Sequence, residues 1–555
     1  MSTANGPGSA QQRFALQRVR GNVTADRLAL LVLAAVAVIA LVTFRDYGLG
    51  WDDYTHSEYG EMLLALYASG FRDDRALSFV NLFMYGGGFD MAAALAAKVL
   101  PFDLFETRRL AGAAAGLVGL AATWRIGRRL GGPAAGLIAL LLLATCPLYY
   151  GHMFMNAKDA PFAVAMTLLL LALVRTFAEY PRPDAGTIVL FGIGLGLTFG
   201  SRIMGGMAGL YALAALLLIA GAELRALGLR PAAARLGRLL LRLVPGFALA
   251  YLVMGFVWPW SVVDPLNPLR ALQYFSHFFE KPWPEMFAGA VVAVPDMPRS
   301  YVPTLFALTL PELLLALGSA GLLGALAAAA RPSLPLNRRA VLLLVAAAVA
   351  VPVLFAVITR PAMYNGLRHF VFVMPPFAAL GGLAGAWLLT RARAAGRLPF
   401  AAAAALVVIG LALPVLDMAR VHPYQYTHFN RTSGGIRMAA SRYMLDYWGL
   451  SFKQAAETLR LHLEDRRETR PKERPWMVAV CGPNRPVEVA LGPDFETDWQ
   501  PKGADFAMLL GAFYCVDRLD APLIAEIRRD GVVYARVYDL RGRSVPTLLT
   551  LPPPT

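Results

Sequence analysis

Long apolar runs recur along this chain, near residues 28–44, 108–124, 133–150, 160–177, 187–201, 204–222, 241–259, 304–329, 340–358, 370–389 and 400–416. Most approach the roughly 20 residues that a helix needs to cross a hydrocarbon layer. Inside lipid each segment has to satisfy its own backbone hydrogen bonds, and a helix does so. The pattern therefore predicts a polytopic α-helical membrane protein with about 11 transmembrane helices. Composition agrees, with 57% hydrophobic and 16% charged residues, where an average soluble domain carries about 25% charged. Residues 21–44 lack a small-residue cleavage site and are followed by further runs, which reads as a retained first span.

The formal net charge of +15 raises nucleic acid as a partner, and its distribution removes it. Only six of the 52 basic residues are Lys, and many of the Arg stand at the ends of apolar runs rather than in a stripe interleaved with aromatics. Arg13, Arg18, Arg20 and Arg27 precede the first run. Alternating from there, the inner loops hold Arg125, Arg128 and Arg129; Arg175 and Arg182; Arg225, Arg230, Arg235 and Arg238; Arg331, Arg338 and Arg339; and Arg391, Arg393 and Arg397. By the positive-inside rule this predicts a cytoplasmic tail over 1–27 and a membrane domain over 28–416. The odd span count puts the C-terminus outside. The Arg- and Ala-rich composition fits a bacterial chain, and hence an inner membrane with a periplasmic outer side.

The outer segments are long: 45–104, 259–303 and 417–555. Residues 56–69 have the pattern of an amphipathic helix lying in the interface plane. The tail from 417 reads as a small α/β domain, with a helix at 453–465 and strands at 476–480, 506–510 and 532–540. Cys481 and Cys515 end two of these strands and could pair in an oxidising compartment; two buried free thiols are the alternative. Cys146 lies in a span and reads as a small hydrophobe.

Chemistry concentrates on the outer side. The first outer segment opens Trp51-Asp52-Asp53-Tyr54-Thr55-His56. Adjacent carboxylates beside a membrane are costly unless used, and an Asp facing water there can take a proton from a hydroxyl. The structural alternative is a helix cap. The second outer turn contains Asn156-Ala157-Lys158-Asp159-Ala160-Pro161. A lone ammonium at headgroup depth suits a phosphate, and Asp159 also suits a helix start. Arg202, Arg360, Arg368 and His369 lie in other outer turns and break the positive-inside pattern. They either snorkel to headgroups or converge with Lys158 on one anionic leaving group.

The order of these motifs, Asp52-Asp53, Asn156-x-Lys158-Asp159-x-Pro161 and Arg368-His369-Phe370-x-Phe372-x-x-Pro375-Pro376, resembles the GT-C superfamily of polyprenyl-phosphate-sugar glycosyltransferases. The branch is the bacterial one related to protein O-mannosyltransferases and the lipid A aminoarabinose transferase. His422-Pro423-Tyr424-Gln425-Tyr426 and Asp446-Tyr447-Trp448-Gly449 look like a block of the same family. The resemblance covers about 28–450, and Asp53 stands where the family has Glu.

It implies an inverting transfer of a sugar from a polyprenyl-phosphate donor to an extracytoplasmic hydroxyl on a lipid, glycan or protein. Asp52 or Asp53 would be the base. Lys158, Arg202 and Arg368 would hold the donor phosphate, and His56, Asp159, His369 and Tyr364 would position substrate. Lipopolysaccharide and other cell-envelope glycans are the implied setting. No metal site is expected, although Asp52, Asp53 and His56 could ligate a divalent ion. The competing reading is a transporter or flippase of lipid-linked sugar, which would favour inverted repeats and mid-membrane charges; none is evident. A non-catalytic assembly or sensor protein, with the tail as its binding module, would leave Asp52, Asp53 and Lys158 without a task.

Overall fold

The computed structural model describes residues 8–276 and 283–550. The side chains of 8–22, with Arg13, Arg18 and Arg20, lie outside the described residues, as do 277–282 of the third outer segment. The first ten helices are α1 Gly8–Thr43, α2 Asp53–Ala68, α3 Gly88–Ala97, α4 Leu104–Gly131, α5 Pro133–Ala144, α6 Pro147–Met155, α7 Asp159–Ala178, α8 Ala185–Phe199, α9 Met207–Leu227 and α10 Leu229–Val257. Short α11 (Trp260–Val263) and α12 (Asn267–Ser276) lead to a hairpin, β1 Pro284–Phe287 with β2 Ala290–Ala293. Then come α13 Tyr301–Thr309, α14 Glu312–Ala329, α15 Leu336–Thr359, α16 Met374–Ala395 and α17 Arg397–Val421.

Every apolar run forms helix, but nine described stretches are long and apolar enough to cross a membrane, or ten if α5 and α6 count as one span bent by 63°. Length and composition alone do not reach the expected count of about eleven, for a local reason. The 187–201 run forms α8, only 15 residues long. The 304–329 run breaks at Leu310-Pro311 into α13 and α14, and α14 still counts as one of the nine. Nevertheless α8 returns the chain to the level it left. Asp159 opens α7, Arg202 lies three residues beyond α8, and the two ion-pair at 2.7 Å. The Arg-rich ends gather at the opposite end of the bundle. Arg128 of α4 pairs with Asp26 of α1 at 2.9 Å, and Arg338 of α15 donates to the carbonyls of Arg129 and Leu130 in α4.

Close packing places the helix that leads to the second outer turn. Gly112 and Gly116 of α4 face α6, and a Cβ at Gly112 would lie 2.3 Å from the Met153 carbonyl oxygen. Without side chains there, α6 approaches the α4 backbone and brings residues 152–159 beside the start of α2. Helix α2 buries Asp53, His56, Ser57, Gly60 and Leu63, a helical stripe that packs on α3.

The tail begins later than 417, because α17 continues to Val421. Short α18 (Gly435–Ala439), α19 (Phe452–Asp465) and α20 (Asn484–Leu491) accompany a five-stranded sheet. Its strands are β3 Trp476–Cys481, β4 Phe495–Asp498, β5 Phe506–Leu510, β6 Leu523–Arg529 and β7 Val532–Asp539, in the order β4-β3-β5-β7-β6. β3 pairs in parallel with β4 and β5; β7 runs antiparallel to β5 and β6. Strands β4 and β6 were not legible in the sequence: the first is short, and the second alternates weakly, with one buried position. α20 touches α2, which seats this domain on the first outer segment.

Cys481 and Cys515 form a disulfide, and Cys146 is a buried free thiol. Thiol counting checks this. Denatured, unreduced protein is expected to take one maleimide mass tag, and reduced protein three. Closing the 34-residue separation should contribute about 3–4 kcal/mol, so Cys481→Ser is expected to lower the unfolding temperature of the sheet domain.

Candidate active site at one rim of the bundle

The neighbouring carboxylates of the first outer segment do different things. Asp53, the first residue of α2, is buried. It accepts from Arg109 Nη1 at 2.9 Å and Nη2 at 2.5 Å, and from the Gly50 amide at 2.7 Å. Arg109 also donates to the carbonyls of Gly48 and Phe154. Asp53 is thus held in a bidentate pair that fastens the loop before α2 to α4 and α6. Asp52, one residue earlier, makes no capping bond, and its side chain is 38% exposed. Lys158 Nζ and Arg368 Nη1 each stand 3.8 Å from its Oδ2.

Lys158 and Asp159 are placed by Asn156, not by an Asp cap. The Asn156 Oδ1 accepts from the amides of Lys158 and Asp159 at 3.1 and 2.7 Å, and its Nδ2 donates to Asp159 at 2.9 Å. Asn156 also contacts His152, whose Nε2 meets the Tyr447 hydroxyl at 3.1 Å. Asp159 pairs with Arg202. The Tyr85 ring lies under both Lys158 Nζ, at 4.6 Å, and the Arg202 guanidinium, at 5.6 Å. Arg368 is buried between the rings of Tyr364, at 4.5 Å, and Trp448, at 5.3 Å. His369 packs edge-on to Tyr364 at 5.0 Å.

Asp52, Lys158, Asp159, Arg202, Arg368, Tyr364 and His369 therefore share one rim. His56 is set apart in a buried chain: its Nδ1 meets Asp90 at 2.7 Å, and Asp90 binds Arg108 at 2.6 Å. Arg360 donates to the Met297 carbonyl instead of joining the rim. Asp52, Asp53 and His56 do not converge as a ligand set, because two of them are committed to other partners. No cluster of three or more His, Cys, Asp or Glu occurs among the described residues.

Burial alone would raise the Asp52 carboxyl, but Lys158, Arg368 and His56 outweigh it and hold it below the usual carboxylate value. Burial pulls Lys158 below its ordinary value; Asp52 opposes that, and Arg202 and Arg368 add to it. Several donors lie buried without a protein partner, among them Arg202 Nε, Arg368 Nε and Trp448 Nε1. Such groups are costly to leave unpaired, and Arg368, against Trp448, stands next to Asp52.

Sequence reading missed Arg108, Arg109, Asp90 and Tyr85. The Arg pair carried a usable signal: it stands at the outer end of a span, against the positive-inside pattern, as Arg202 does. Asp90 and Tyr85 had none, since only the packing of α3 brings them in.

The division of labour predicts opposite stabilities. Removing one partner of a buried ion pair costs about 3–5 kcal/mol. Asp53→Asn and Arg109→Leu should therefore lower thermal stability strongly, whereas Asp52→Asn should change it by about 0.5 kcal/mol or less. Unfolding in detergent, followed by size exclusion after heating, distinguishes them.

Residues 89–245 match the family model described as dolichyl-phosphate-mannose-protein mannosyltransferase. Among curated proteins none matches the chain. Solved structures of similar shape include ArnT from Cupriavidus metallidurans bound to undecaprenyl phosphate, at 18% identity and TM-score 0.48, covering 92% of this chain and 97% of that one. The archaeal oligosaccharyltransferase AglB from Archaeoglobus fulgidus, in complex with an inhibitory peptide and a dolichol-phosphate, is 12% identical at TM-score 0.49, covering 87% and 69%. Arabinofuranosyltransferase AftD from Mycobacteria is 13% identical at TM-score 0.43, covering 92% and 40%. The matched segment contains Arg108, Arg109, Lys158, Asp159 and Arg202, and over that segment the chain is similar to this mannosyltransferase family.

Proposed function

We propose that this protein is an integral-membrane inverting glycosyltransferase. It moves a sugar from a polyprenyl-phosphate donor to a hydroxyl of an extracytoplasmic acceptor. The observation that carries the reading is Asp52, a part-exposed carboxylate flanked at 3.8 Å by both Lys158 and Arg368. The family match over 89–245 supports it. So does the position of the charges at the helix ends, where a flippase would favour the mid-membrane. The Arg alternation orients the site to the periplasmic side of a bacterial inner membrane, with the N-terminus cytoplasmic.

In this mechanism the donor phosphate takes over Lys158 and Arg368, with Arg202 beside them, and Asp52 is released from its cations. A carboxylate that loses such neighbours becomes a stronger base. Asp52 accepts the proton of the acceptor hydroxyl as that oxygen attacks C1 of the sugar. The bond from C1 to the phosphate oxygen breaks, and its electron pair leaves with the polyprenyl phosphate, stabilised by the three cations. A single displacement inverts C1. Asp159 keeps Arg202 in place, and Tyr364 and His369 wall the sugar side. Asp53 and His56 hold the loop.

Nanodisc assays with radiolabelled polyprenyl-phosphate sugars test this. Asp52→Asn is expected to lower transfer by roughly 10²–10⁴-fold while donor binding is kept or strengthened, because one negative charge leaves the phosphate site. Lys158→Ala and Arg368→Ala should weaken donor binding about tenfold or more, in a salt-sensitive way. Failure of wild type to bind any such donor would sink the reading.

The pH profile gives a second check. In kcat/KM, which reports the donor-free enzyme, Asp52 is active when ionised, and its cations keep it so until the pH falls below the ordinary carboxylate range. Lys158 is active when protonated, so the alkaline limb should lie below the ordinary lysine value. Lys158→Arg is expected to push that limb beyond the measurable range; an unmoved limb would assign it to another group.

A further inference from the structure

Trp51 immediately precedes Asp52 in the chain. Its indole stacks on Trp499, with ring centroids 6.1 Å apart and planes inclined by 25°. Trp499 follows β4, at the edge of the sheet domain. Two domains thus each contribute an indole to one spot at the residue that precedes Asp52 in the chain. Both rings stay open: Trp51 is 40% and Trp499 is 42% exposed. Asp498, Gln500 and Lys502, around Trp499, are exposed and polar.

We propose that Trp51 and Trp499 form a carbohydrate-stacking platform at the mouth of the Asp52 site, so that the acceptor hydroxyl is carried by a sugar ring. The inference rests on the transferase reading for Asp52 and adds the acceptor class. A sugar ring has an apolar C–H face bordered by hydroxyls. An open indole face with polar residues beside it complements both features. Placement next to the base means that a ring held there delivers a hydroxyl within a short range of orientations, which is what a positioning site contributes.

Fastening the domain does not account for the arrangement. That task is served nearby by Arg485 of α20, whose guanidinium covers the Tyr54 ring at 5.0 Å, and there the aromatic ring is capped. Tryptophans also collect at lipid headgroups, but Trp499 belongs to a sheet edge with charged neighbours, not to a span.

Saturation-transfer NMR on the full chain in nanodiscs tests the platform. The probes are methyl oligosaccharides of glucose, mannose, galactose and N-acetylglucosamine, with a Ser/Thr-rich peptide of similar size as the contrast. Wild type is expected to saturate the C–H protons of one sugar face. Trp499→Leu should lose about fivefold or more of that signal, and Trp499→Phe, which keeps an aromatic face, should retain most of it. Binding of the radiolabelled donor reports that each variant is folded. No saturation of any sugar by wild type, an undiminished signal in Trp499→Leu, or a preference for the peptide would overturn the proposal. So would quenching of these two indoles by brominated lipid. Sugar binding without donor binding would leave the platform standing and remove the transferase reading, whereas donor binding without sugar binding would do the reverse.

Discussion

The site turns on one arrangement of charge: a single accessible carboxylate, Asp52, held between two cations at equal distance. Around it the rim carries Lys158, Arg202 and Arg368 against Asp52 and Asp159. That leaves one positive charge in surplus, the complement of a phosphodiester donor. In the proposed transfer the proton moves to Asp52 while the leaving phosphate gains close to a second negative charge. The surplus therefore rises as the ligand's charge rises. Coulomb energies are large where water is partly excluded, so a site that stays balanced at both ends of the reaction avoids trapping either state. The same balance explains why the cations do not repel one another apart: Asp52 and Asp159 occupy the positions between them until a phosphate arrives.

Holding Asp52 accessible requires that everything near it be fixed. Asp53 is given up to Arg109, and Arg109 ties Gly48, Asp53 and Phe154 into one unit. The His56–Asp90–Arg108 chain does the same one turn further along α2. These buried charges are expensive individually and persist because each is paired and hydrogen-bonded. They are affordable only because α4 carries glycines where α6 crosses it, which brings the second outer turn within reach of the first. Backbone packing deep in the bundle and charge geometry at its rim are in this way one constraint.

The sequence made the apolar runs, the Arg alternation and the rim cations legible, because each rests on residue type and spacing along the chain. It could not divide roles between Asp52 and Asp53. Their chemistry is identical and only the position of Arg109, more than fifty residues away, separates them. The count of spans is nine or ten among the described residues by length and composition, against the expected eleven, and the difference lies where short-range rules are weak. Run 187–201 is apolar enough but forms only 15 helical residues. In the tail, the strands that read clearly, β3, β5 and β7, are the largely buried ones. The missed β6 lies at an edge, where one buried position gives alternation too little contrast.

The tail is more than an attachment. Asp446 accepts from the amides of Gly449, Leu450 and Ser451, a turn that fixes the two residues between. One of them, Tyr447, reaches His152 of α6; the other, Trp448, lies against Arg368. Gly50, next to Trp51, has no side chain where the Trp448 ring passes, and a Cβ there would sit 2.5 Å from it. The segment after α17 therefore builds one wall of the rim around Arg368, and the sheet that follows reaches back to Trp51 through Trp499. The proposed donor and acceptor sides of the rim are joined through a single stretch of chain, 446–499. In such an arrangement the sheet domain can change which acceptor is admitted, by altering Trp499 and its neighbours, without disturbing the Asp52, Lys158 and Arg368 geometry on which the chemistry depends.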